Sequence, residues 1–140
     1  MKIEKKFYVT DYNITSPYFN NNVPIKIMVA SDIHYQISVN PSLFSELVDY
    51  AKMNKPDFIV MPGDQIETID FIDNSSNKEF FESIIKALGN ISPVIMIPGN
   101  HEIRDCNRDN FKNRHEGTDN VNTKALDYFK SLTNLKMFIF

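Results

Sequence analysis

Asp32 with His34, Asp64 with Glu67, and Asn100, His101 and Glu102 are the side chains of this 140-residue chain whose types and spacing can do chemistry. Asp32 and His34 stand two apart in Ser31-Asp32-Ile33-His34, so on an extended backbone both leave the same side. One hard oxygen beside one imidazole nitrogen suits Mn, Fe or Zn better than Ca or Mg alone. Asp64, in Pro62-Gly63-Asp64-Gln65-Ile66-Glu67, adds a carboxylate that can bridge two ions. Asn100, in Pro98-Gly99-Asn100-His101-Glu102, offers a neutral amide oxygen to the second ion. Paired divalent ions about 3.5–4 Å apart generate hydroxide at neutral pH and clamp phosphoryl oxygens, the chemistry of phosphate-ester hydrolysis. His101 follows Asn100 directly and points beside the ions, as general acid to a leaving alkoxide or as donor to a phosphoryl oxygen. Glu67 is the carboxylate expected to hold its ring, with Glu102 competing for that place.

Each pattern alone is weak, because an Asp-x-His pair recurs by chance and a lone Gly-Asp or Gly-Asn is most often a turn. What they share is position. Ile27-Met28-Val29-Ala30, Asp57-Phe58-Ile59-Val60-Met61 and Val94-Ile95-Met96-Ile97 are apolar runs, and each ends directly before one cluster. The clusters lie roughly 30–40 residues apart, as βαβ units require. Open α/β sheets bind ligands at the carboxyl ends of their strands, so three such ends can meet at one site.

The elements between the clusters alternate. Residues 3–14 alternate loosely and predict a half-exposed edge strand, and Ser16-Pro17 with Asn20-Asn21-Asn22 makes a turn-rich link. A first strand spans about Ile25 to Ala30. Pro41 then opens a helix, capped by Asn40 or Ser42, with Leu43, Phe44, Leu47, Val48 and Ala51 on one stripe. After the Asp57–Met61 strand, Ser76 with Glu79 forms a capping box for a second helix. That helix turns Phe80, Phe81, Ile84, Ile85 and Leu88 inward and ends at Gly89. Residues 104–122 are polar and read as a long loop, in which Cys106, Arg104, Arg108 and His115 are solvated. A third helix turns Ala125, Leu126, Phe129 and Leu132 inward, and Met137-Phe138-Ile139-Phe140 opens another buried strand. Near-continuous apolar strands alternating with helices predict an α/β fold with a mainly parallel sheet.

Asp32-Ile33-His34, Gly63-Asp64-Gln65-Ile66-Glu67 and Gly99-Asn100-His101-Glu102 together resemble the first three motifs of the calcineurin-like metallophosphoesterase superfamily: Asp-x-His, Gly-Asp-x-x-Asp or Glu, and Gly-Asn-His-Asp or Glu. The resemblance covers about residues 25 to 102. It implies an α/β/β/α sandwich, and a metal-dependent phosphoesterase that cleaves phosphomonoesters or phosphodiesters with two divalent ions (Mn, Fe or Zn). It also implies that Asp32 and His34 bind the first ion, Asp64 bridges both, Asn100 binds the second, and His101 is the acid assisted by Glu67. Family members carry further histidines in a C-terminal half, at a later strand end and in a Gly-His-x-His motif. This chain has His34, His101 and His115, the last with no such context. Residues 1–140 therefore read as the N-terminal part of a single metallophosphoesterase domain, truncated, holding one ion and weakly active or inactive alone. The alternative is a non-catalytic metal-binding or regulatory module on the same fold.

Composition bounds the rest. The hydrophobic share is 42%, the charged share 24% and the net charge −3, which weakly disfavours a nucleic-acid partner. One cysteine excludes an internal disulfide framework and fits a reducing, cytoplasmic setting. The N-terminus has no apolar run behind its lysines and so no signal peptide, and no stretch is apolar enough to span a membrane. No Gly-rich phosphate loop follows the first strand, which excludes a dinucleotide-binding reading. Missing strands predict an unpaired sheet edge and self-association through it.

Overall fold

In the computed structural model, residues 8–18, 23–35, 41–67, 70, 73–103, 123–132 and 135–137 are described. The predicted loop at 104–122, with Cys106, Arg104, Arg108 and His115, lies outside them, as do residues 138–140.

Among the described residues, four short strands form one parallel sheet in the order β1 (Ile27–Val29), β2 (Phe58–Pro62), β3 (Val94–Ile97) and β4 (Leu135–Met137). Helix α1 (Ser42–Asn54) connects β1 to β2, α2 (Ser75–Gly89) connects β2 to β3, and α3 (Asn100–Ile103) and α4 (Thr123–Ser131) lie between β3 and β4. Right-handed crossovers between strands in sequential order put every crossover helix on the same face. The burial pattern agrees. Ile59 and Val94 are aligned in register with Met28 and are fully buried, as are Met61 and Met96 one pair further on. Against them pack Phe44, Leu47, Val48 and Ala51 of α1 and Phe81, Ile84, Ile85 and Leu88 of α2. Each fully buried side chain of this size contributes about 1.5–3 kcal/mol.

The other face is different. Side chains alternate across a strand, so Ile27, Val29, Phe58, Val60, Ile95 and Ile97 point away from the helices. Ile27 and Val29 are 56% and 64% exposed, and Val60, Ile95 and Ile97 are half-buried. The described residues thus make one sheet and one helical layer. The second sheet and second helical layer of the implied sandwich are not among them.

Several local expectations shift. Tyr8, Tyr12 and Ile14 are exposed and residues 8–14 form no strand, since no described neighbour pairs with them. Pro41 itself takes the N-cap position of α1, with its carbonyl accepting from Phe44 and Ser45 and no side-chain cap. Helix α2 starts at Asn74, not at a Ser76–Glu79 box. Asn74 is extended (φ −94°, ψ 110°) and its side chain accepts from Asn77 N at 3.1 Å, which leaves Ser76 in the first turn. Gly89 is the last residue of α2, followed by Asn90 in a right-handed conformation. The last strand begins at Leu135, two residues before its predicted start. On α4, Tyr128 is buried alongside the expected Phe129, because both rings meet α2: Phe81 and Phe129 lie edge to face at 6.4 Å.

Candidate metal centre

The sheet's carboxyl end is where the backbone leaves ordinary geometry. Among the described residues, those other than glycine with positive φ are Asp32 (54°), His34 (49°), Lys55 (46°) and Asp64 (52°). Lys55 ends α1, donating to Ala51 O, a common helix terminus. The other three sit just past strand ends. A side chain held left-handed costs about 1–3 kcal/mol and persists only where its surroundings enforce it.

Those surroundings are visible. Beyond β1 and β2 the two chains keep running side by side: Asp32 N donates to Gly63 O (3.2 Å), His34 N to Asp64 O (3.0 Å) and Tyr35 N to Gln65 O (2.9 Å). Glu67 N donates back to Tyr35 O, and Tyr35 bridges Ile66. Tyr35 is buried against Phe44 (4.9 Å) and Phe80 (5.6 Å), which anchors the segment just behind His34. That burial raises the Tyr35 hydroxyl above its usual pKa. Gln65, fully buried, donates its amide to Ala30 O and Gly63 O, closing the loop from below.

The third strand end enters through glycines. Gly63 takes φ +85°, and a Cβ there would come within 2.9 Å of Gly99 Cα. A Cβ on Gly99 would overlap the Asp64 carboxylate and lie 2.5 Å from Asp64 N. The β2 and β3 ends therefore approach backbone to backbone, which only glycine permits. Across this contact His101 N donates to Asp64 Oδ1 at 3.0 Å.

Asp32, His34, Asp64, Glu67 and His101 converge. Ligand atoms of Asp32, His34 and Asp64 all lie within 4.8 Å of one another. Donors sharing one ion at about 2.0–2.2 Å stand roughly 3–4 Å apart, so small side-chain adjustments close the set. His34 Nε2 faces Asp32 Oδ1 at 4.0 Å, while Nδ1 lies 3.0 Å from Glu67 Oε2. His34, Glu67 and His101 form a second cluster of the same tightness, and the two imidazoles meet edge to face at 4.5 Å. Asn100 opens α3 at the rim, exposed, immediately before His101.

Glu67 stands differently from its expected place. Its carboxylate lies against His34, and its backbone carbonyl is what meets His101 Nδ1, at 2.7 Å. Glu102 does not approach the His101 ring. It is fully buried, and its carboxylate accepts from four backbone N–H groups. Gln65 carried no signal in sequence, since it occupies a variable place in its motif. Among the described residues, the ion pairs of Asp32 and Glu67 are with His34 alone, and no Lys or Arg neutralises Asp32, Asp64 or Glu67. Like charges gathered without a basic partner favour a cation, and the mixed oxygen and imidazole donor set fits a divalent transition metal.

A sequence model of the calcineurin-like phosphoesterase family matches residues 25–137. The chain belongs to the calcineurin-like phosphoesterase family. It is also similar to phosphodiesterase YaeI of Escherichia coli (strain K12), with 31% identity over 83 residues. That stretch is 59% of this chain and 29% of the relative, so the chain spans well under half of the curated relative it matches. Family membership establishes a metallophosphoesterase-like α/β fold and, at the level of the family, metal-dependent phosphate-ester hydrolysis. No described helix is long and apolar enough to cross a membrane.

Proposed function

We propose that this chain carries the first half of a metal-dependent phosphodiesterase centre, and that alone it binds one divalent ion and turns over slowly. The observation that carries this reading is the convergence of Asp32, His34 and Asp64 from two adjacent strand ends, with no basic side chain among the described residues to neutralise them. The relative's description as a phosphodiesterase supports diesters over monoesters.

In this reading Asp32, His34 Nε2 and Asp64 would hold the first ion, of Mn, Fe or Zn type, and among the described residues Asp64 and Asn100 would offer the second two donors. A bound ion there supplies Lewis-acid charge for a phosphoryl oxygen and activates a water. The chain's own groups do the rest. Glu67 sets its carboxylate 3.0 Å from His34 Nδ1, on the side of the ring away from Asp32, the place from which carboxylates orient metal-bound histidines. The Glu67 carbonyl can only accept, so His101 Nδ1 carries the proton of that 2.7 Å contact. His101 Nε2 is then the end that delivers a proton to the leaving oxygen. The backbone bond from His101 N to Asp64 Oδ1 keeps this acid in register with the ligands.

The test is elemental analysis of the purified chain titrated with Mn, beside Asp64→Ala, followed by hydrolysis of bis(p-nitrophenyl) phosphate. Near-stoichiometric metal lost in the mutant, with slow diester cleavage, is expected. A folded chain without metal would overturn the reading. Tight binding of one ion with no cleavage would instead favour the non-catalytic metal-binding module, for which the two-donor second site argues.

A further inference from the structure

We infer that Glu102 is a positioning residue: its buried carboxylate clamps the Gly63–Ile66 loop and thereby aims Asp64. The argument begins with the loop. Gly63 and Asp64 are both left-handed (φ 85° and 52°), and such a turn brings successive backbone N–H groups round to one concavity that favours an anion. In this chain the occupant of that concavity is internal. Glu102 Oε2 accepts from Asp64 N (2.9 Å), and Oε1 from Gln65 N (2.5 Å) and Ile66 N (3.1 Å). Oε2 also accepts from Gly99 N at 2.7 Å, which ties in the end of β3.

Glu102 is 0% exposed, and all its oxygens meet backbone donors. No hydrogen bond or ion pair recorded among the described residues joins it to His34, Glu67 or the ring of His101, and its two oxygens are taken up by the loop. Its leverage is mechanical. Side-chain direction at Asp64 follows from the backbone angles at that residue, and the amides of Asp64, Gln65 and Ile66 are held by this one carboxylate. The same short helix α3 presents Asn100, His101 and Glu102 in succession. Docking Glu102 into the loop therefore also sets where Asn100 and His101 stand relative to Asp64. An amide in its place keeps the shape but offers one acceptor oxygen instead of two and turns an NH₂ toward backbone donors.

The inference rests on the proposed metal reading for its second measurement only; the first needs no metal. Amide hydrogen exchange on the full chain in EDTA reads Asp64, Gln65, Ile66 and Gly99 directly. In the wild type these four are expected to exchange at least tenfold slower than the exposed amides of residues 8–14. In Glu102→Gln that protection falls about tenfold or more, while the strand amides of Ile59 and Met96 keep theirs. Titration with Mn2+ alone then shows a dissociation constant raised roughly 10–100-fold, and Glu102→Asp, which restores both acceptor oxygens, recovers part of the loss. Unprotected amides in the wild type would overturn the clamp, and so would Glu102→Gln binding Mn2+ within twofold of wild type. If the wild type binds no Mn2+ yet its four amides are protected and lose protection in Glu102→Gln, the clamp stands and the metal reading fails. If Glu102→Gln does not fold, Glu102→Asp decides: intermediate protection and affinity support the clamp, and wild-type values for both overturn it.

Discussion

Asp32→Gly should make the metal-free protein more stable and the metal-loaded protein less so. Asp32 is held at φ 54°, a conformation that costs an ordinary side chain about 1–2 kcal/mol and glycine nothing. Glycine gives back about 0.5–1 kcal/mol through the freedom it gains in the unfolded chain. The side chain is 67% exposed, and its contacts are the Ser31 hydroxyl and, at 4.0 Å, His34, so little packing is lost. The backbone bond from residue 32 to Gly63 O remains. The net expectation is a gain of ~0.5 kcal/mol, about 2 °C in Tm for a chain of this length. Loading reverses the order. At a metal concentration of about 100 times Kd, the wild type gains about 2.7 kcal/mol. A variant bound a hundredfold more weakly gains only about 0.4 kcal/mol under the same conditions. Calorimetric melting in EDTA and again in Mn2+ reads both terms. If the variant melts lower in EDTA, the strain reasoning is wrong. If Mn2+ stabilises both proteins equally, Asp32 is not a ligand.

Three further expectations follow from the same geometry. Lys55→Gly, at the left-handed residue away from the site, should raise stability by about 0.5–1 kcal/mol without altering Mn2+ affinity, a control in which strain and site are separated. Gly99→Ala places a methyl on the Asp64 carboxylate and 2.5 Å from its backbone nitrogen. It should cost about 1–3 kcal/mol in urea denaturation and weaken Mn2+ binding at least tenfold, and unchanged binding would count against backbone-to-backbone closure of the β2 and β3 ends. Burial, then the charge and hydrogen bond of Glu82, raise the Tyr128 hydroxyl well above the ordinary tyrosine pKa, and burial alone raises Tyr35. The folded state therefore holds these protons more tightly than the unfolded chain, so their contribution is complete below about pH 10 and is lost as pH rises through the folded values. Tyr128→Phe should move the midpoint of alkaline unfolding upward by circular dichroism, and an unmoved midpoint would refute the assignment.

Much of this protein is written locally. The apolar runs at Ile27, Ile59 and Val94, each interrupted by proline, glycine or a polar ligand, determine three strands and their ends. The stripes at Phe44–Ala51 and Phe81–Leu88 determine which helix faces are buried, because a helix shows its periodicity in sequence. Asp32, His34 and Asp64, whose ligand atoms the structure brings together, were legible because their types and places at strand ends are local properties. Partners across the sheet are not. Glu67 was expected to reach the His101 ring with its carboxylate, yet its side chain faces His34 and its carbonyl faces His101, a choice made by the turn at Gly63-Asp64 and the bridge from Tyr35 to Ile66. Glu102 read as a competitor for that same ring, and only the approach of two glycine-lined strand ends reveals four backbone donors converging on it. Of the edge strand predicted over residues 3–14, the described part, 8–14, is not a strand, for a related reason: alternation of polar and apolar residues permits a strand, but a strand exists only where a neighbour supplies the other half of its hydrogen bonds.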